Sequence, residues 1–250
     1  MSLTFYSLAS VFVVSLVSLI GALTFKFGQT TVKKLSDALV SFAVGAMFGD
    51  AFIHLLPQAY AYFEKSGNFL LLFMPLLGLF MFFFIEKILR WRHSHLPVEQ
   101  AKTVPLATLS VAGDTIHNFI DGIIIGASYL VSLPLGIAST VAIVLHEIPQ
   151  EMGDFGILIH AGIKPNRALL LNFISSLAAV AGTVIALAVG ARFANYTNYL
   201  LPIAAGGFIY IAGTDLVPEL HQKTRIKHSL VQFAAIAAGV FAMAALLLFE

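Results

Sequence analysis

The chain has 250 residues, of which 59% are hydrophobic and 11% are charged, and its mean hydropathy is +0.91. Since a soluble globular domain is about one quarter charged, this composition excludes a soluble fold and predicts an all-α integral membrane protein. The absence of cysteine excludes disulfides, thiolate metal sites and cysteine nucleophiles. A net charge of +1 gives no reason to expect a nucleic-acid partner.

The hydrophobic segments predict eight membrane spans joined by short loops. Each span needs about 20 mostly apolar residues, and the whole chain, residues 1–250, is expected to form a single polytopic domain in the lipid bilayer. The N-terminal segment lacks a basic region, so we expect a first span there rather than a cleaved signal peptide. The predicted spans are about 3–25, 36–60, 69–90, 104–131, 137–161, 167–190, 200–220 and 229–249.

The distribution of basic residues predicts the orientation of these spans. Eight alternating spans place every Lys and Arg of the chain, except Lys65 and Arg192, on one side of the membrane. Cytoplasmic loops carry an excess of Lys and Arg, so this side is predicted to be the cytoplasmic one. Both termini then lie on the non-cytoplasmic side, and a cell membrane, plasma or inner, is the expected location.

Two of the predicted spans contain a similar short sequence. Residues 54–58 (HLLPQ) lie in the second span and residues 215–219 (DLVPE) lie in the seventh. Because these spans run in opposite directions, the pair suits an inverted repeat of spans 1–3 and 6–8 around spans 4 and 5, an arrangement common in transporters. The alternative is chance, since apolar helices that end in proline resemble one another.

The fourth and fifth spans contain acidic residues that lipid does not accommodate. Residues 103–163 include five acids and no Lys or Arg. An ionised side chain at the bilayer centre costs about 2.5–3.5 kcal/mol, so five unpaired acids would cost on the order of ten kcal/mol or more. Positive charge from outside the chain is therefore expected, and we interpret it as a divalent metal ion. The acids are Asp114, Asp121, Glu147, Glu151 and Asp154.

Helical spacing places the polar residues of these two spans on common faces. Positions i and i+4 share a face, which pairs His117 with Asp121 and His146 with Gln150. Two imidazoles, a carboxylate and an amide oxygen suit a borderline divalent cation such as zinc. Interhelical hydrogen bonding is the alternative interpretation, but it is usually built from Asn, Ser and Thr rather than from unpaired acids.

Glycines in the same two spans predict close packing. Gly122 and Gly126 have the spacing of a GxxxG motif, and Gly153 and Gly156 lie in the fifth span. Small residues at such spacing let membrane helices approach closely. We therefore expect these glycines to bring the fourth and fifth spans together around one ion.

Ionisable residues in other spans predict a route for the ion. Asp50 and His54 lie four residues apart in the second span, as Asp215 and Glu219 do in the seventh. Ionisable groups within spans commonly mark ion pathways, with structural pairing as the alternative. The predicted pathway residues are Asp50, His54, Asp114, Asp154, Asp215 and Glu219.

The polar motifs resemble those of the ZIP family of metal-ion transporters, and most closely those of its LIV-1 branch. The resemblance rests on residues 117–122 (HNFIDG) and 146–154 (HEIPQEMGD), with support from residues 49–57 (GDAFIHLLP) and 83–87 (FFIEK). It covers essentially all eight spans. It implies an eight-helix, often dimeric transporter that moves divalent metal, chiefly zinc, into the cytoplasm. A vertical shift of the metal-bearing helices against the others would provide alternating access.

The resemblance also implies a set of metal ligands. A first site would use His117, Asp121, His146 and Gln150, and an adjoining site would use Asn118, Glu147 and the shared Asp121, with Glu151 beside them. LIV-1 members usually have His where this chain has Gln150, which weakens the first site and the preference for zinc. Zinc is the expected cargo, with cadmium, iron and manganese as further expected cargoes. Members with a paired-metal site have Glu where this chain has Ala179, which argues against a true binuclear site.

A membrane-embedded zinc hydrolase is the alternative function, since it would also bury His and Asp between helices. The fifth span lacks the His-Glu-x-x-His motif of metalloproteases, because Gln150 stands where the second His should be. A hydrolase also needs an activated water and a substrate cavity, and no sequence feature indicates one. The expected protein is therefore a transporter and not an enzyme.

Overall fold

The computed structural model describes residues 3–22, 29–94, 104–190, 192, 196–221 and 226–249. Within these ranges, its description of side chains leaves out residues 29–37, 89–94, 104–109, 160, 215, 219 and 249. All regular elements of the described part are helices. The predicted all-α fold is thereby confirmed for the described residues.

Ten α-helices follow one another in the described part of the chain. The first five are α1 (Leu3–Val17), α2 (Gln29–Gly49), α3 (Leu56–Ser66), α4 (Met74–Ser94) and α5 (Val104–Val131). The other five are α6 (Leu133–His160), α7 (Pro165–Gly190), α8 (Tyr196–Ile211), α9 (Val217–Leu220) and α10 (Ile226–Leu246). Short 3-10 segments extend α1 at Ser18–Ala22, precede α4 at Phe69–Phe73 and follow α10 at Leu247–Phe249.

Two π-helical segments each join two α-helices into one longer helix. Asp50–Leu55 joins α2 to α3, and Ala212–Leu216 joins α8 to α9. The chain therefore stays helical from Gln29 to Ser66, a range that contains the second predicted span, 36–60. Pro57 does not end this helix, because the π segment directly before it accommodates the missing backbone N–H.

Among the described residues, six helices are long and apolar enough to cross a membrane. The helices at the fourth and seventh predicted spans are not among them. At the fourth span, α5 has 28 residues and reaches about 42 Å, but its polar side chains lower its hydropathy. The six are Leu3–Ala22, Ala38–Ser66, Phe69–Ile88, Leu133–Ile159, Pro165–Gly190 and Ile226–Leu246.

Glycines bring three pairs of helices into backbone contact. A Cβ atom added at Gly122 of α5 would lie 1.8 Å from the carbonyl oxygen of Ala179 in α7, and one added at Gly182 of α7 would lie 2.1 Å from that of Phe119. Such distances are far inside van der Waals contact, so only glycine fits. The same reciprocal arrangement joins α2 to α10 through Gly45 and Gly239, and α4 to α8 through Gly78 and Gly206.

The expectation that glycines bring the fourth and fifth spans together is wrong. Gly122 and Gly126 of α5 face α7, and a Cβ atom at Gly153 or Gly156 of α6 would meet no atom within 4 Å. The physical reason is that α5 packs against two different helices through two different faces. Its polar face is directed at α6, where side chains need room, and its glycine face is directed at α7.

Side-chain hydrogen bonds connect α1 to the same set of helices. Ser15 of α1 donates to the carbonyl of Ser176 in α7 at 3.0 Å, and Ser176 donates back to the carbonyl of Ser15 at 3.0 Å. Ser10 of α1 lies 2.7 Å from the hydroxyl of Tyr129 in α5. With α6, these helices form one group, named here the site group: α1, α5, α6 and α7.

The remaining helices form a second group. The glycine pairs unite α2 with α10 and α4 with α8, and His54 Nε2 in the π segment after α2 lies 3.0 Å from the carbonyl of Met243 in α10. Tyr210 of α8 donates a hydrogen bond to Glu86 of α4. We name α2, α3, α4, α8, α9 and α10 the frame group.

The glycine contacts predict a large difference between two Gly→Ala substitutions. Gly182→Ala should lower the free energy of unfolding by about 1–3 kcal/mol, because its methyl group overpacks the α5–α7 contact. Gly156→Ala is the matched control; its methyl group meets open space, and helix propensity favours Ala by up to about 1 kcal/mol. Thermal unfolding of both purified variants in detergent would test this, and equal melting temperatures would contradict the described packing.

Candidate metal site

The α5–α6 hairpin places the polar residues of its two helices at matching depths. Only Ser132 separates α5 from α6; it caps α6 by accepting a hydrogen bond from the amide of Leu135 at 3.2 Å. His117 lies about as many residues before this turn as His146 lies after it. At about 1.5 Å of rise per residue, both lie roughly 21–22 Å from the turn. The tight turn therefore sets the two histidines opposite each other.

Four side chains converge at this depth, two from each helix. The Nε2 atoms of His117 and His146 lie 3.1 Å apart. Asp121 Oδ2 lies 3.1 Å from His146 Nε2 and 3.6 Å from His117 Nε2. Glu147 Oε1 lies 3.5 Å and 3.6 Å from the same two atoms, respectively. The four residues thus present two imidazole nitrogens and two carboxylates to one point.

These separations suit one four-coordinate cation. Zinc binds nitrogen and oxygen ligands at about 2.0–2.2 Å with tetrahedral geometry, which places neighbouring ligand atoms roughly 3.3–3.5 Å apart. The five separations given above run from 3.1 to 3.6 Å. Small side-chain adjustments would therefore complete a tetrahedron, and no helix has to move to bring the ligands together.

A backbone carbonyl orients the ring of His146. Its Nδ1 lies 3.1 Å from the carbonyl oxygen of Ala142, one turn earlier in α6, and must donate there because a carbonyl only accepts. Nε2 is then left to face Asp121 and His117. Metal-binding histidines commonly have their second nitrogen held in this way, which fixes the ring for coordination.

The cluster is shielded from solvent. Asp121 and His146 are fully buried, Glu147 is 1% exposed, and the ring of Phe208 from α8 packs against His146 with 6.1 Å between the centroids. Among the described residues, Asp121 Oδ1 and Glu147 Oε1 are buried and have no hydrogen-bond partner. Unpaired carboxylate oxygens are expensive to bury, and a cation would compensate for that cost.

The other predicted ligands border this cluster. Asn118 is fully buried; its amide nitrogen donates to Asp114 Oδ1 at 2.9 Å, and its Oδ1 has no hydrogen-bond partner among the described residues. Gln150 interacts through its side chain with Asp114. Glu151 is fully buried and lies in a second group with Asp114 and Glu147. The structure thus brings Glu147 to the two histidines, whereas Gln150 contacts Asp114.

The predicted pathway residues fall in three places. Asp114 and Asp154 lie in the site group, where Ser110 donates to Asp154 at 2.5 Å. Asp50 and His54 are buried in the π segment after α2, in the frame group. The side chains of Asp215 and Glu219 lie outside the described residues. The described residues therefore place Asp114 and Asp154 on the same two helices as the cluster, whereas Asp50 and His54 lie on a segment of the frame group that packs against α6.

Two residues of α7 take part in the site although no motif singled them out. Ser175 donates a hydrogen bond to Asp114 Oδ2, and Asn172 donates to the carbonyl of Glu151 at 3.2 Å. Both are polar residues in an otherwise apolar span, and Ser175 lies one turn before Ala179. That polarity was the available signal, because the buried face of α7 is the one that meets α5 and α6.

The geometry predicts that metal binding releases protons. His146 Nε2 and Asp121 Oδ2 are 3.1 Å apart, and two electron-rich atoms at this distance need a proton or a metal ion between them. Metal and protons therefore compete for the site, and apparent metal affinity should weaken as pH falls from about 8 to about 6. Calorimetry in buffers of different ionisation enthalpy would count the protons; a count of zero over this range would contradict the arrangement.

Comparison with known proteins agrees with the motifs. A family model described as ZIP zinc transporter matches residues 1–105 and 91–247. The zinc transporter zipt-7.2 of Caenorhabditis elegans is 37% identical over 148 residues, which make up 58% of this chain and 32% of that protein. The metal cation symporter ZIP8 of Rattus norvegicus is 29% identical, with 89% of this chain and 64% of that protein covered.

A further relative is covered more completely. The zinc transporter ZIP13 of Danio rerio is 30% identical, with 90% of this chain and 78% of that protein covered. The chain spans less than two thirds of the length of the first two relatives, as the shares of 32% and 64% show. The resemblance predicted from the polar motifs is confirmed at the level of the family. The chain belongs to the ZIP zinc transporter family.

Proposed function

We propose that the protein transports divalent metal ions across a membrane, with zinc as the main cargo. The observation that carries this proposal is the convergence of His117, Asp121, His146 and Glu147 in a buried helix pair without any Lys or Arg. Several relatives are named zinc transporters or metal cation symporters, which supports the same conclusion. Because members of this family are transporters, a hydrolase is no longer a competing function.

The proposed ligand set explains which cations the site accepts. Two imidazoles and two carboxylates suit zinc, and the same donors also bind cadmium, iron and manganese. Asn118, Gln150 and Glu151 are proposed as further oxygen ligands at the edge of the site. Their oxygens allow the coordination number to rise for cations larger than zinc, so selectivity among these metals is expected to be modest.

We propose a topology of eight spans in one domain over residues 1–250. The six apolar helices supply six of them, and α5 and the α8–α9 helix supply the two polar ones. The asymmetry of Lys and Arg supports an orientation with both termini on the non-cytoplasmic side. The family resemblance favours transport into the cytoplasm, a plasma or inner membrane location and a homodimer.

We propose that the frame group and the site group contain an inverted repeat. Both π segments end two residues before a proline: Asp50–Leu55 before Pro57, and Ala212–Leu216 before Pro218. A π segment next to a proline lets a helix continue past the missing N–H, and such segments are rare in helices generally. The same device at matching places in the second and seventh spans supports a common origin of spans 1–3 and 6–8.

We propose that alternating access comes from a shift of the site group against the frame group. The glycine-mediated backbone contacts lie within each group, between α5 and α7, α2 and α10, and α4 and α8. Helices in backbone contact move together, because side chains cannot yield between them. The contact of Phe208 with His146 crosses from one group to the other through aromatic rings, which can slide past each other more easily.

The transport proposal predicts that two single substitutions stop uptake. His117→Ala and Asp121→Ala should each abolish metal uptake into proteoliposomes, because each removes one of four convergent ligands. Zinc, cadmium, manganese and iron would be compared side by side. His228→Ala, which removes an exposed histidine in α10, is the control and should transport at the wild-type rate. Near wild-type uptake by either site variant, in folded protein, would refute the assignment.

A second substitution tests whether Gln150 is a ligand. Gln150→His should tighten zinc binding, because imidazole is a better ligand for zinc than a carboxamide. Slower release can lower turnover even while the half-saturating zinc concentration falls. Uptake kinetics over a range of zinc concentrations would separate the two effects. An unchanged zinc affinity would mean that residue 150 does not touch the ion.

A further inference from the structure

A second cluster of carboxylates lies beside the two histidines. Asp114, Glu147 and Glu151 each have a carboxylate oxygen within 4.8 Å of the others. Their exposed fractions are 3%, 1% and 0%. The cluster contains no nitrogen ligand, and only Glu147 is shared with the site described above. It is therefore a chemically distinct environment next to the histidines.

The hairpin explains why these acids meet. Asp114 lies about as many residues before Ser132 as Glu151 lies after it, so the two are again at matching depths on facing helices. They lie about one helical turn farther from Ser132 than the histidines, a step of roughly 5–7 Å along the hairpin. This step leads toward the beginning of α5 and the end of α6, which Lys164 follows in the chain.

The burial of Glu151 without a hydrogen-bond partner for its carboxylate points to a missing partner. It is fully buried, and neither of its carboxylate oxygens has a hydrogen-bond partner among the described residues. Glu147 Oε1 and Asn118 Oδ1 are buried and without such partners as well. Removing a carboxylate from water costs several kcal/mol unless a partner compensates. Every unsatisfied atom here is an acceptor, so the partner has to be a cation or a donor from outside the described residues.

Asp114 is held in position for binding. Asn118 donates to its Oδ1 at 2.9 Å, and Ser175 of α7 donates to its Oδ2. Each oxygen keeps a further lone pair for an ion. Asn172, one turn before Ser175, anchors the backbone carbonyl of Glu151 at 3.2 Å. Supporting contacts of this kind orient ligands around metal sites.

We propose that Asp114, Glu147 and Glu151 form a second, oxygen-only site for a divalent cation, which receives the ion from the histidine site through Glu147. The proposal rests on the proposed transport function and adds a stage to it. A carboxylate has two oxygens, so Glu147 can hold an ion on one side before the ligands on the other side release it. Oxygen-only ligands favour hard cations such as Mn²⁺ over zinc, so the second site holds zinc more weakly and helps to release it.

Manganese binding to purified protein tests the second site. In a His117→Ala/His146→Ala background, Mn²⁺ should still bind, as measured by the loss of the free Mn²⁺ signal in electron paramagnetic resonance. Adding Glu151→Gln should weaken that binding by about tenfold or more, because one ligand loses its charge. Adding Glu64→Gln instead is the matched control; it makes the same change at an exposed glutamate of α3, far from the cluster in the chain, and Mn²⁺ affinity should hardly change.

A second measurement covers the case in which the histidine variants do not fold. With both histidines present, Glu151→Gln should weaken Mn²⁺ binding by about tenfold while zinc keeps at least one binding site. X-ray absorption of zinc bound to the Glu151→Gln protein should still show imidazole scattering, because both histidines are present.

The outcomes separate this proposal from the transport function. If zinc binds and is transported but Glu151→Gln leaves Mn²⁺ affinity unchanged, the second site is refuted and the transport proposal stands. Equal losses of Mn²⁺ binding in Glu151→Gln and Glu64→Gln would also refute it, since general charge would then explain the effect. If His117→Ala leaves zinc uptake intact, the transport site itself fails, whatever the manganese result.

Discussion

The burial of four carboxylates, with a fifth half-buried beside them and no Lys or Arg partner, is the constraint on which the structure depends. Residues 103–163 contain no Lys or Arg, and Asp121, Glu147 and Glu151 are almost completely buried. Lipid and protein interior both penalise such charges by several kcal/mol each. Internal hydrogen bonds relieve part of the cost at Asp114 and Asp154. The unpaired oxygens at Asp121, Glu147 and Glu151 leave the rest to a cation, and this requirement links the fold to transport.

The helices around this hairpin serve two opposite needs. Ligands on α5 and α6 need space between the helices for an ion, whereas the hairpin needs a firm support to hold its depth. The glycine face of α5 provides the support by meeting the backbone of α7, with Gly122 and Gly182 as the contact points. Because α7 is held so close, Ser175 reaches Asp114 across the interface. Close packing on one face thus permits an open, polar arrangement on the other.

Much of this architecture follows from local rules, and the remainder depends on how helices rotate against each other. The spacing of His117 and Asp121 was enough to predict that they share a face, and hydropathy was enough to predict the membrane helices. Spacing and hydropathy were not enough to show that Glu147 approaches both histidines while Gln150 interacts with Asp114. Adjacent positions on a helix differ by about 100° of rotation, and only the packing against neighbouring helices decides which of them faces the site. The glycines of α5 were assigned to the wrong neighbour for the same reason, since spacing identifies a face but not its partner.

A transport site has to bind an ion firmly enough to select it and loosely enough to release it. Four ligands from one hairpin could hold zinc too long, particularly with the ring of His146 fixed by Ala142. An ion leaves such a site more easily when each lost ligand is replaced as it departs. Glu147 belongs to both carboxylate-containing clusters, and Asp114 with Glu151 lies one turn away at a matched depth. The one-residue turn at Ser132 that aligns the histidines therefore aligns the next pair of acids too, so a binding site and an exit from it follow from the same hairpin geometry.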